Sequence, residues 1–215
     1  MIASGVALRS IFAGMAQIAR NPFDAQGVQV VFDALLKTGL YQLPYERALS
    51  RLAPKERDQL EHITKTPIPW QDLPSYPERS LGKLYYDWMV EADLKFDFYN
   101  NLPHFRDWRI LRGGKLHDLL HALFGVGRSA VEESFIQAFN ATDLLEPGGV
   151  ATLAAWPLMA RRYGEPARFA RAVALGAYYG YRTPTVYTFP LELHLATDVE
   201  ALRDRLGLPT AGFRL

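Results

Sequence analysis

Leu116-His117-Asp118-Leu119-Leu120-His121-Ala122-Leu123-Phe124, then Gly125-Val126-Gly127, then Ser129-Ala130-Val131-Glu132-Glu133, is the stretch that decides the fold class. Its first nine residues are rich in apolar side chains at helical spacing. The two glycines turn the chain. Ser129 followed three residues later by Glu132 has the form of a capping box, which opens a second helix expected to run to about Leu145. At about 100° per residue, His117 and His121 lie only about 40° apart round the helix axis. Asp118 adds a neighbouring carboxylate. Glu133 follows His121 by twelve residues, in the first turn of the second helix, where a helical hairpin can fold it over the histidine face. Two imidazoles with one or two carboxylates suit Zn²⁺, Fe²⁺ or Mn²⁺. From spacing alone the alternative stays open that these are ordinary hydrogen-bonded core histidines. The pattern also resembles the two-histidine motif of metalloproteases. Their intervening glutamate is replaced here by the shorter Asp118, which argues against a base on a metal-bound water. A metal-dependent hydrolase would want a further His and Asp, for which His104 and Asp143 are available without defined geometry.

The same helical period extends outward in both directions. Leu8, Ile11, Phe12, Met15 and Ile18 share one face of a helix over 5–20. Asp24 suits an N-cap for a helix over 24–37, with Gly39 at its end. A short helix is expected over 55–63, and the proline-containing segment Thr64 to Pro77 reads as a loop. Ser80 caps a helix to about Asp93, and residues 95–101 read as a short helical piece. Phe105 to Leu111 leads to Gly113-Gly114, read as preceding the histidine helix. Pro147-Gly148-Gly149 stops the helix after it. Helices over 149–162 and 165–181 follow, then a loop or extended piece over 183–190. Asp198 caps a last helix closed by Gly207 and Pro209. The reading is all-α: one domain over 1–215, a bundle of eight to ten helices with a metal-binding helical hairpin.

Composition narrows the function classes. With 24 Lys plus Arg against 23 Asp plus Glu, the net charge of +1 gives no electrostatic case for nucleic acid. With no cysteine, thiolate metal sites, disulfides and cysteine nucleophiles are excluded. The uncharged run from Pro147 to Ala160 is too short to span a bilayer and contains Pro157. The first basic residue, Arg9, falls inside the apolar N-terminal stretch rather than before it, unlike a signal peptide. The expected location is cytoplasmic, or peripheral on the inner face of the cytoplasmic membrane.

The histidine stretch with Glu133 resembles the signature of the coenzyme Q biosynthesis protein 4 family. Flanking segments resemble that family too: Arg20-Asn21-Pro22-Phe23-Asp24, Ser80-Leu81-Gly82 with Tyr85, Gly125-Val126-Gly127, Ala138-Phe139, and the terminal helix from Asp198 to Arg203 with Leu206-Gly207. The resemblance spans about residues 10 to 210. It implies an all-α fold and a divalent metal, usually zinc, with His117, Asp118, His121 and Glu133 as ligands. It also implies replacement of the ring C1 carboxylate of a polyprenyl hydroxybenzoate by hydroxyl, an oxidative decarboxylation, on the way to ubiquinone. The family commonly has Asp at the position of Ser129 and Gly at that of Glu132, and usually a Gln shortly after the Ala-Phe pair, where this chain has Asn140-Ala141-Thr142. The first two departures flank the expected site.

A polyprenyl tail needs an apolar channel, for which Tyr85, Trp88, Met89, Phe124, Phe135 and Tyr178 are candidates; the competing reading of such stripes is core packing. Arg161, Arg162, Arg168 and Arg171 form a basic cluster, either a solvated face or a contact for an anionic headgroup. The expected partners are a polyprenylated quinone precursor or prenyl lipid, other ubiquinone-biosynthesis proteins, a membrane surface, and further copies of the chain in a homo-oligomer. A non-catalytic prenyl-lipid-binding or scaffold protein is the rival to the decarboxylase.

Overall fold

The computed structural model describes residues 5–20, 25–37, 42–95, 103–145, 147–183 and 185–215. Among these, the regular structure is helical: α1 (Gly5–Arg20), α2 (Ala25–Lys37), α3 (Leu43–Leu49), α4 (Pro54–Lys65), α5 (Leu81–Glu91), α6 (Trp108–Phe124), α7 (Ala130–Asp143), α8 (Pro147–Tyr163), α9 (Pro166–Arg182) and α10 (Val199–Arg205). One isolated bridge, Ser80 to Asp198, is the nearest approach to a strand among them. The all-α expectation holds. The expected caps at Asp24 and Gly39, the segment 21–24 and most of the helical piece over 95–101 lie outside the described residues.

Three local readings change. α3 was not anticipated; its seven residues are too few to display a helical period. α6 starts eight residues before Leu116 and runs straight through Gly113-Gly114. Asp107 caps it by accepting from the Arg109 N–H at 3.0 Å. Each helical glycine costs about 1 kcal/mol relative to alanine. Burial of Ile110 and Arg112 in the same turn offsets that cost. The expected loop over 183–190 instead contains the 3₁₀ turn Val186–Thr188, and another follows at Leu191–His194.

The helices sort into two compact units, Met1–Arg47 with Ser129–Tyr181 and Leu215, and Ala48–Arg128 with Arg182–Arg214. In the first, α1 packs on α2 and α8, and α7 packs on α8. A Cβ at Gly149 would lie 2.7 Å from the Gln137 carbonyl oxygen, so α8 meets the α7 backbone closely. Gly176 and Gly180 do the same from α9, one turn apart. A Cβ at Gly176 would overlap the Phe135 carbonyl, and one at Gly180 the Phe139 carbonyl.

In the second unit α6 is central, with α4, α5 and α10 against it. Its buried residues go all the way round, from Ile110 to Phe124, which is the pattern of an enclosed helix. Arg112 is fully buried and reaches four separate places. Its guanidinium donates to the carbonyls of Tyr187 and Phe189 (the latter at 2.6 Å), to Thr64 Oγ1 at 3.2 Å and to Glu192 at 2.9 Å. Lys115 donates to the carbonyls of Thr64 (2.6 Å) and Thr66 (2.9 Å), satisfying acceptors at the C-terminal end of α4. Burial pushes the Lys115 ammonium below its ordinary value.

Candidate metal centre

The end of α6 is shaped by its glycine turn. Gly125 takes φ +70°, and the Val126 N–H donates to the His121 carbonyl at 3.1 Å while the Gly125 N–H reaches Ala122 at 3.3 Å. This is a Schellman termination. Two further groups hold the same helix end. Arg203 Nε donates to the Leu123 carbonyl at 2.6 Å, and the Phe213 N–H donates to the Phe124 carbonyl at 3.0 Å. The turn aims the Gly127 carbonyl back at His121, 2.8 Å from Nδ1. A carbonyl only accepts, so Nδ1 carries the proton and Nε2 presents its lone pair. Metal-ligating histidines are ordinarily oriented in this way.

His121 is buried, and the Trp88 indole of α5 stacks on its ring with centroids 4.4 Å apart and planes 19° apart. His117, one turn earlier and half-buried, meets the His121 ring edge-on at 5.1 Å. On α7, Ser129 and Glu132 form the expected capping box: the Ser129 N–H donates to Glu132 Oε2 at 2.9 Å, and the Glu132 N–H to Ser129 Oγ at 3.3 Å. The box fixes the helix start, so that Glu133 follows as an acidic residue of the first turn, where the helix dipole favours an anion. His117 and His121 stand one turn apart on α6, and Glu133 stands at the start of α7. Asp118 is the remaining ligand candidate on α6. It is buried beside the histidines, and its charge, after burial itself, raises the pKa of the buried Tyr85 hydroxyl, which therefore stays protonated. Of the two further hydrolase candidates, the His104 side chain lies outside the described residues and Asp143 is half-buried at the end of α7.

The other candidate residues separate by burial. Tyr85, Met89, Phe124 and Phe135 are core side chains, and Trp88 is half-buried. Tyr178 is exposed, as are Arg161, Arg162, Arg168 and Arg171. Arg168 is paired with Glu165 and also donates to the Leu215 carbonyl at 3.3 Å. The Gly127 carbonyl and Arg203 were not anticipated as parts of the site. The glycine pair after the helix is the signal for the former; nothing local marks Arg203, which lies 80 residues from the carbonyl it binds.

An all-α protein with two histidines one turn apart on an enclosed helix, one of them oriented by a carbonyl at Nδ1, belongs to the class of helical proteins with an imidazole pair suited to a divalent metal. More particularly, the chain belongs to the coenzyme Q (ubiquinone) biosynthesis protein Coq4 family, whose model matches residues 51–211. It is similar to the mitochondrial ubiquinone biosynthesis protein COQ4 homologs of Mus musculus and Rattus norvegicus. Each is 25% identical over 207 residues, covering 91% of this chain and 74% or 75% of the relative. Its fold matches the crystal structure of a protein from Nostoc punctiforme PCC 73102 assigned to ubiquinone biosynthesis. That match has TM-score 0.74 and 23% identity, covering 94% of this chain and 96% of the other. Family membership gives the chain a role in ubiquinone biosynthesis.

Proposed function

We propose that the chain holds a divalent metal, zinc by its donor set, through His117, His121 and Glu133, and removes the C1 carboxylate of a polyprenyl hydroxybenzoate. The observation that carries this reading is the Gly127 carbonyl 2.8 Å from His121 Nδ1, which leaves the Nε2 lone pair as the metal donor beside His117, one turn away; Glu133 enters from the family signature. Two imidazoles and a carboxylate are donor types that zinc accepts, and these residues would hold it. Such a metal supplies Lewis acidity to the carboxylate and phenolate oxygens of the substrate. The protein orients and shields. Trp88 and the Schellman turn fix His121, and Glu133 stands in the first turn of α7. Tyr85 retains its phenolic proton one turn before Trp88. In the reaction the bond between ring C1 and the carboxyl carbon breaks, CO₂ leaves, and the bonding pair on C1 takes up a proton from solvent; placing a hydroxyl there instead takes a two-electron oxidant such as O₂ as co-substrate.

Metal analysis of purified protein and CO₂ release from a carboxyl-labelled polyprenyl hydroxybenzoate test the reading. His121→Ala is expected to lose both the metal and CO₂ release. Asp118→Asn is expected to keep the metal. Undiminished CO₂ release by a metal-free His121→Ala protein would remove the metal from the reaction.

A further inference from the structure

Among the described residues, Trp88 combines two observations that its packing does not explain. Its indole lies nearly parallel to the His121 ring, 4.4 Å between centroids. Its Nε1–H is buried and has no hydrogen-bond acceptor. An indole nitrogen can only donate, and a buried donor without an acceptor costs free energy. Stacking prevents the usual remedy. The N–H lies in the indole plane, nearly parallel to the imidazole, so it does not meet the in-plane lone pair of either His121 nitrogen. A ligand held at the histidine pair would lie beside the stacked rings, within reach of a donor in the neighbouring layer.

We infer that Trp88 is a ligand-binding residue: its N–H donates to a carboxylate oxygen of an aromatic acid bound at the His117–His121 pair. The inference rests on the metal reading above and adds to it the group that recognises the acid. The acceptor is anionic because a charge-assisted bond returns the most to a buried donor. The role differs from that of a channel wall, which phenylalanine would fill equally well.

The test uses the full chain loaded with zinc, with 4-hydroxybenzoate as probe and phenol as the control lacking the carboxylate. Trp88→Phe keeps an aromatic ring on His121 and removes only the donor. Calorimetry is expected to show about tenfold weaker 4-hydroxybenzoate binding by Trp88→Phe, unchanged phenol binding, and the zinc content of the wild type, a tenfold change being about 1.4 kcal/mol. In the wild type, the Trp88 indole N–H resonance is expected to move downfield when 4-hydroxybenzoate is added. That measurement does not depend on how the variant folds. Equal affinity of the two proteins for 4-hydroxybenzoate, or an indole resonance that stays in place, overturns the inference and leaves the metal reading intact. Loss of zinc from Trp88→Phe also overturns it, since Trp88 would then act by supporting His121. A wild-type protein that takes up no zinc fails the metal reading itself.

Discussion

His121 is held from three directions: the Gly127 carbonyl at Nδ1, the Trp88 ring on its face, and a helix end fastened by Arg203 and Phe213. Gly125 is where that arrangement is most exposed to substitution. Its φ of +70° is the left-handed region, and an added Cβ would sit 3.1 Å from the Arg203 guanidinium. Gly125→Ala is expected to destabilise the protein by about 1–2 kcal/mol, and to weaken zinc binding in a chelator competition, because the Gly127 carbonyl moves with the turn. Asp107 gives a pH prediction. Burial raises its pKa, but hydrogen bonds from the Arg109 side chain and backbone, with the charge of Arg109, outweigh burial and hold it below the ordinary value. The depressed carboxyl contributes stability in full above the unfolded-state value of about 3.9 and loses it as pH falls through the folded-state value. Asp107→Ala should therefore cost about 1 kcal/mol at neutral pH, with the gap to wild type shrinking below about pH 4 in urea titrations.

At the scale of elements, α7 is approached at backbone distance by Gly149 of α8 and by Gly176 and Gly180 of α9. Such contacts leave no room for a side chain, and carbonyl oxygens cannot rotate away as a flexible side chain can. Gly176→Ala is expected to lower stability by about 3 kcal/mol, the upper end of overpacking costs, seen as a fall in the denaturation midpoint. A surface glycine such as Gly164, with nothing within 4 Å, pays only for its left-handed φ of +72°. Element identity was largely legible in the sequence, because apolar periodicity and caps are local. Ser80, Ser129 and Asp198 all act as caps. The start of α6 was not legible, because the burial that carries it through Gly113-Gly114 is supplied by distant residues.

For the whole molecule, Arg112 joins segments far apart in the chain, from Thr64 to Glu192. Both partners of its ion pair are buried, with side-chain exposures of 0% and 7%. Arg112→Ala leaves Glu192 buried without its cation and is expected to cost about 3–5 kcal/mol. Arg112→Met with Glu192→Leu should recover much of that loss, which a double-mutant cycle in denaturant reads directly. Among the described residues no helix is long and apolar enough to cross a membrane; α8 continues through Pro157 but carries too short an apolar run.

The sequence by itself determined the helical class, the family, and the identity of His117, His121 and Glu133 as a candidate donor set, since helical spacing and a short glycine turn bring them near one another by local geometry. Tertiary structure decided what surrounds them. It laid Trp88 on His121, and brought Arg203 and Phe213 to the end of α6. None of these has a local signal, because contacts between residues tens of positions apart depend on how buried faces pack and not on the period of any one stretch.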